Sequence, residues 1–148
     1  MIVPARKKIF GGFTLIELLI VIAILGILAA AVLVAVNPAK RQRQARDSAR
    51  KSDVGQIATA LQAYFTTPGQ GLYPVSMGIL TASGDLKQIP SGPTGEAYNY
   101  TIRAADSSEA ALYVALEDPT TDSTGSYAWC WQSAVGRAQE ITAGSCTP

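Results

Sequence analysis

The sequence contains no histidine and only two cysteines, Cys130 and Cys146. Without an imidazole the chain lacks the side chain that most often serves as a general base near neutral pH, and no nucleophile stands beside an evident base. A phosphate-binding glycine motif is missing too. The one glycine pair, "GG" at 11–12, precedes an apolar run rather than sitting in a βαβ context. These absences describe a chain that is not an enzyme and needs no cofactor. Two cysteines permit one disulfide, and in an exported domain that bond is favoured over two free thiols. Charge of one sign is not in excess either: the net charge is +1, which argues against a diffuse nucleic-acid binder.

Charge is scarcest where apolar residues are densest. Residues 13–36, "FTLIELLIVIAILGILAAAVLVAV", include Glu17 as their single charge. As a helix this stretch spans about 36 Å, enough for a hydrocarbon core of about 30 Å. It is too long for the apolar region of an ordinary signal peptide, and no small-residue cleavage site with a polar approach follows it. A small acidic domain has no room to bury it as a core helix. Its second half is slim, with Ala29, Ala30, Ala31 and Ala35. Small residues let helices approach closely in an apolar interior, which suits a helix that packs against copies of itself. Glu17 then needs a partner or a proton. Cleavage between Gly12 and Phe13 would create a new amine at Phe13, four residues from Glu17. In a neighbouring subunit that amine could meet the carboxylate, and the pair would fix stagger more than add net stability.

The segment "GGFTLIELLIVIAILGILAAAV", with its basic approach Arg6, Lys7 and Lys8, resembles the type IV pilin and pseudopilin family. The resemblance implies cleavage after Gly12 by a prepilin peptidase, methylation of Phe13, and a role for Glu17 in subunit recruitment and in neutralising a neighbour's terminal amine. Many major pilins have a proline within this helix. The corresponding residue here is Val34, the first proline after the apolar run is Pro38, and Gly26 stands where the family often has its glycine. Helix melting or kinking is therefore assigned to Gly26 or Pro38. The expected organisation is a leader at 1–12, a transmembrane helix at 13–36, an amphipathic continuation of the spine at 37–66, and a globular head at 67–148.

Asn37 and Pro38 carry capping and first-turn signals, and a continuous rod with a kink is the preferred reading. Val54, Ile57, Ala58, Leu61 and Phe65 recur at helical spacing, widened by Ala60, Ala63 and Tyr64, and this face should lie on a sheet. Pro68, Gly69 and Gly71 end the helix. Lys40, Arg41, Arg43, Arg46, Arg50 and Lys51 form a basic belt. It is read as a solvated surface or as charge balance for a neighbour's acidic domain; DNA binding is the weaker reading because no aromatic residues are interleaved. The belt also opposes the topology that the resemblance implies. A count of +3 before the apolar run against +5 from Lys40 to Lys51 would place the head inside by the positive-inside rule, whereas the family exports it.

The remaining residues are acidic, net −6 from Ser52 onward. "GLYP" at 71–74 is a turn that would pack Tyr73 on the helix end. Residues 81–97, rich in glycine and proline, read as a long loop with at most one short element. Alternation marks strands at 98–103, 110–116 and 127–132, with a fourth candidate at 138–142; Trp129 and Trp131 share one face of the third and Cys130 takes the other. The fold class is α+β: a long N-terminal helical spine, partly hydrophobic, on a small antiparallel sheet, pilin-like. The resemblance also implies that Cys130 and Cys146 close a C-terminal disulfide loop. Asp118, Thr120, Asp122 and Ser123 form an oxygen-rich turn, with Asp118 and Asp122 as a weak calcium candidate against a plain polar turn.

Taken together, the residues and the resemblance give a structural subunit. The precursor sits in membrane lipid, is processed by prepilin peptidase, and is assembled into a helical homo-oligomer by an inner-membrane platform and an ATPase-driven motor. The first expectation is a pilin of an extracellular type IV pilus serving adhesion, motility or DNA uptake. The alternative is a pseudopilin of a type II secretion system.

Overall fold

A computed structural model describes residues 12–121 and 125–148. The expected leader at 1–12, apart from Gly12, and the turn residues Asp122 and Ser123 lie outside the described residues. The chain divides into two units, Met1–Pro38 and Ala39–Pro148.

In the first unit, helix α1 covers Leu15–Val36. Every residue of α1 is exposed, so no part of it contributes to a core within this chain. It begins at Thr14 and ends at Asn37, whose left-handed backbone (φ 45°, ψ 76°) breaks the hydrogen-bond ladder. Two local effects account for the break. A residue before proline is disfavoured in the right-handed helical region, and asparagine tolerates the left-handed one. Helix α2 then starts at Pro38, the position where a missing N–H is harmless, and runs to Thr66. The continuous rod expected from sequence is thus two helices separated by one residue. Gly26 lies within regular helix.

In the second unit, α2 supplies Val54, Ile57, Ala58, Ala60 and Leu61 to the core. Ala63, expected on the same face, is exposed. It lies two residues beyond Leu61, a rotation of about 200° around the helix, which turns it to solvent. The helix stops at "TPGQG". The N–H groups of Gly69 and Gly71 donate to the carbonyls of Tyr64 and Phe65 at 2.7 and 2.8 Å. A Cβ on Gly69 would lie 2.2 Å from the Leu72 carbonyl oxygen, so only glycine fits this reversal. The chain then brings Tyr73 back over the helix end, its ring 4.7 Å from Phe65 and 6.1 Å from Trp131. A short helix α3, Gly78–Ser83, buries Leu80.

Four strands follow: β1 Asn99–Ile102, β2 Ala110–Ala115, β3 Tyr127–Gln132 and β4 Arg137–Thr142. They form an antiparallel meander in the order β1-β2-β3-β4. Alternation assigns the faces. Ala110, Leu112, Val114 and Trp131 pack toward α2. Ala111 and Cys130 point the other way, with Cys146, Tyr113 and Ile141 against them. Cys130 and Cys146 are joined in a disulfide, 16 residues apart, which holds the tail on the sheet face remote from α2.

That bond closes a short loop in a small domain and should stabilise it by about 3 kcal/mol. A Cys130→Ala, Cys146→Ala double variant should therefore melt several degrees lower with its far-UV circular dichroism unchanged. An unshifted melting temperature would show that the tail adds nothing to the head.

Candidate functional site

At the N-terminal end, Gly12 has nothing within 4 Å of where a Cβ would stand, so nothing within the described chain requires a glycine there. Phe13 is exposed. Thr14 and Glu17 form a reciprocal capping box. The Glu17 N–H donates to the Thr14 hydroxyl oxygen at 3.3 Å, while the Glu17 carboxylate accepts the Thr14 N–H at 2.8 Å and its hydroxyl at 2.7 Å. The acid thus has donors from its own helix start, partners that a count of nearby basic residues does not reveal.

The second cluster lies in the head and was missed from sequence. On α2, Asp47 and Arg50 are buried, at 3% and 4% exposure. They continue the apolar stripe toward the N-terminus: 47, 50, 54, 57, 58 and 61 share one helical face. That periodicity was the available signal, charged residues in apolar-face positions. Arg50 gathers three carboxylates. Its Nη1 is 2.7 Å from Asp47, its Nε 2.5 Å from Glu96 and its Nη2 2.6 Å from Glu117. Arg46 adds a two-pronged pair to Glu117, its Nε at 2.9 Å from one oxygen. Asp47 accepts the N–H groups of Glu117 and Asp118 at 3.0 and 2.7 Å. The chain leaving β2 is therefore held by both side chain and backbone to one turn of α2. Glu96 reaches Arg50 because Gly92 is bare: a Cβ there would stand 2.3 Å from the Glu96 carboxyl carbon. Two of the six belt residues are thus balanced within the same chain rather than by a neighbour. A third, Lys51, lies 4.6 Å from the Trp129 ring centroid, an aromatic partner supplied by β3.

Electrostatics follow the geometry. The hydrogen bond from Arg46, reinforced by Arg50, holds the Glu117 carboxyl at about 2 against some burial. The Thr94 hydroxyl, with Arg50, does the same for Glu96, also to about 2. In the oxygen-rich turn, Asp118 gives its N–H to Asp47, while Thr120 Oγ and Thr121 N donate to Glu140 at 2.8 Å each. Burial alone would raise Glu140; those donors hold it at about 2. Among the described residues no group of three or more His, Cys, Asp or Glu could hold a metal, and Asp122 is outside them.

Two comparisons bear on this arrangement. A family profile described as the prokaryotic N-terminal methylation motif matches residues 7–33. Type II secretion system core protein G of Pseudomonas aeruginosa is 38% identical over 109 residues, 64% of this chain and 75% of that one. The chain belongs to the type IV pilin and pseudopilin family. No solved structure matches it. Membership in the family implies prepilin-peptidase processing and filament assembly, and the apolar α1 suits inner-membrane anchoring before assembly.

Removing Arg50 leaves the buried Asp47 carboxylate without its cation and takes one partner each from Glu96 and Glu117, so Arg50→Met should destabilise the head by about 3 kcal/mol, read by urea unfolding. Glu96 and Glu117 lie below their ordinary value of 4.5 when folded. Their contribution is complete above about pH 4.5 and is lost as pH falls toward 2. Thermal melts of wild type should decline across that window, and those of Arg50→Met should decline less. Parallel pH profiles would show that the cluster is not the acid-sensitive element.

Proposed function

We propose that the chain is a pseudopilin, a structural rather than catalytic subunit of a short periplasmic fibre in a type II secretion system. The observation that carries this reading is the relative. Its 38% identity runs over 109 residues, far more than the methylation motif at 7–33, so the likeness reaches into the head. From sequence alone the surface pilus stood first; the relative shifts the preference to the alternative. In this reading prepilin peptidase cuts between Gly12 and Phe13, an inner-membrane platform driven by an ATPase motor extracts the subunit, and α1 helices pack as the fibre core. The unobstructed Gly12 fits recognition by an outside partner. Glu17 exchanges donors on assembly, leaving the Thr14 cap for the Phe13 amine of a neighbouring copy.

One observation favours the second reading, a subunit of an extracellular pilus: the disulfide that secures the C-terminal tail is a feature shared with many pilins. Where the mature protein accumulates separates the two. For the pseudopilin, intact mass of protein from native cells should show a chain starting at methylated Phe13 in the membrane fraction, with little released by shearing. Recovery of the same species mainly in the sheared fraction would replace the pseudopilus with a pilus. An uncut chain in cells with active peptidase would reject both. Glu17→Ala should be processed normally yet fail to enter filaments; filaments at wild-type yield would remove Glu17 from assembly.

A further inference from the structure

The head accounts for only part of the basic belt. Arg46 and Arg50 are taken up by Glu117, Glu96 and Asp47, and Lys51 by Trp129. Arg41 and Arg43 are different. Both are exposed, and among the described residues neither has an acid within ion-pair distance; Arg41 meets only Gln44, at 3.4 Å. Arg43 sits one turn before Asp47 on the face that points into the core further along, yet it is uncovered because the buried part of α2 begins at Asp47.

We propose that Arg41 and Arg43 bind the anionic phosphate headgroups of the membrane in which α1 is held, on the side where the head emerges. The inference rests on α1 being a membrane span. The length of α1 suits a span, since its 22 residues rise about 33 Å, against a hydrocarbon core of about 30 Å. Two residues from Val36 to Pro38 add at most about 7 Å, and α2 starts at Pro38 with a rise of about 1.5 Å per residue, so the chain cannot carry Arg41 and Arg43 further than about 12 and 15 Å from Val36. Headgroup layers are about 5–8 Å deep, and a long arginine side chain can bend back several ångströms to put its guanidinium at that level. The angular placement selects the kind of partner. Two residues apart, the two arginines point about 200° from each other around α2. A second protein copy docking on one face would meet one of them. A headgroup layer surrounds the chain where it leaves the bilayer and meets both. Guanidinium is also the cation that pairs a phosphate with two parallel hydrogen bonds.

The test uses the full chain in vesicles of phosphatidylcholine, alone or with phosphatidylglycerol, and follows equilibrium transfer between the two populations. Wild type should prefer the anionic vesicles, and Arg41→Gln, Arg43→Gln should weaken that preference by roughly 25-fold at low salt, about fivefold per arginine. Arg41→Lys, Arg43→Lys should keep most of it. Lys87→Gln, Arg137→Gln removes the same charge from exposed sites in the head and should leave the preference unchanged. An equal loss in that control would mean that net charge alone sets the distribution and would overturn the proposal. So would a double arginine variant that partitions like wild type, or one that partitions like wild type but assembles poorly, which would assign these arginines to a neighbouring subunit. Failure of every variant, wild type included, to float with vesicles would instead reject α1 as the span, a separate failure with its own readout.

Discussion

The pairing of Asp47 with Arg50 determines where the head begins. Before that turn no described residue is buried; from it onward α2 carries a continuous inward face. The chain leaving β2 brings the backbone N–H groups of Glu117 and Asp118 to this boundary, where they need acceptors. A carboxylate satisfies them, and an arginine is then needed to balance the carboxylate. Glu117 and Glu96 complete the set. Two cations face three anions, all hydrogen-bonded, which is the condition under which buried charge is tolerated.

Beyond that turn the head is built by ordinary means. Helix α2 lays Val54, Ile57 and Leu61 on the meander, Leu112 and Trp131 face them from adjacent strands, and Tyr73 closes the end between Phe65 and Trp131. The disulfide works on the opposite face, where a smaller cluster of Ala111 and Cys130, with Tyr113 and Ile141 against it, is joined to the tail through Cys146. The two faces are therefore secured differently, one by side-chain burial and one by a bond.

Much of this was legible in the sequence because it is periodic. The apolar run, the stripe on α2 and the alternation in the strands are one-dimensional signals, and the α+β plan follows from them. What escaped depends on partners distant in sequence. Glu96 and Glu117 lie 46 and 67 residues from Arg50, and no local spacing links them. Arg50 belongs by charge to the solvated belt, yet its spacing, like that of Asp47, places it on the buried face of α2. The break at Asn37 was read as a kink because Pro38 was weighed without its effect on the residue before it. At the candidate site, Glu17 is conspicuous as the lone charge of the apolar run, while its Thr14 partner is neutral and carries no charge signal.

The ion cluster also has a mechanical meaning. In a fibre whose subunits are joined through α1, any pull on a head travels along the covalent chain through Asn37 and into α2. Early on that load path stand the ion pairs that Arg46 and Arg50 make with Glu117, Glu96 and Asp47. Several short bonds there share a load ahead of the apolar residues that begin at Val54. A head anchored this way would resist tearing at its base and fail, when it fails, by losing charge pairs before it loses its core.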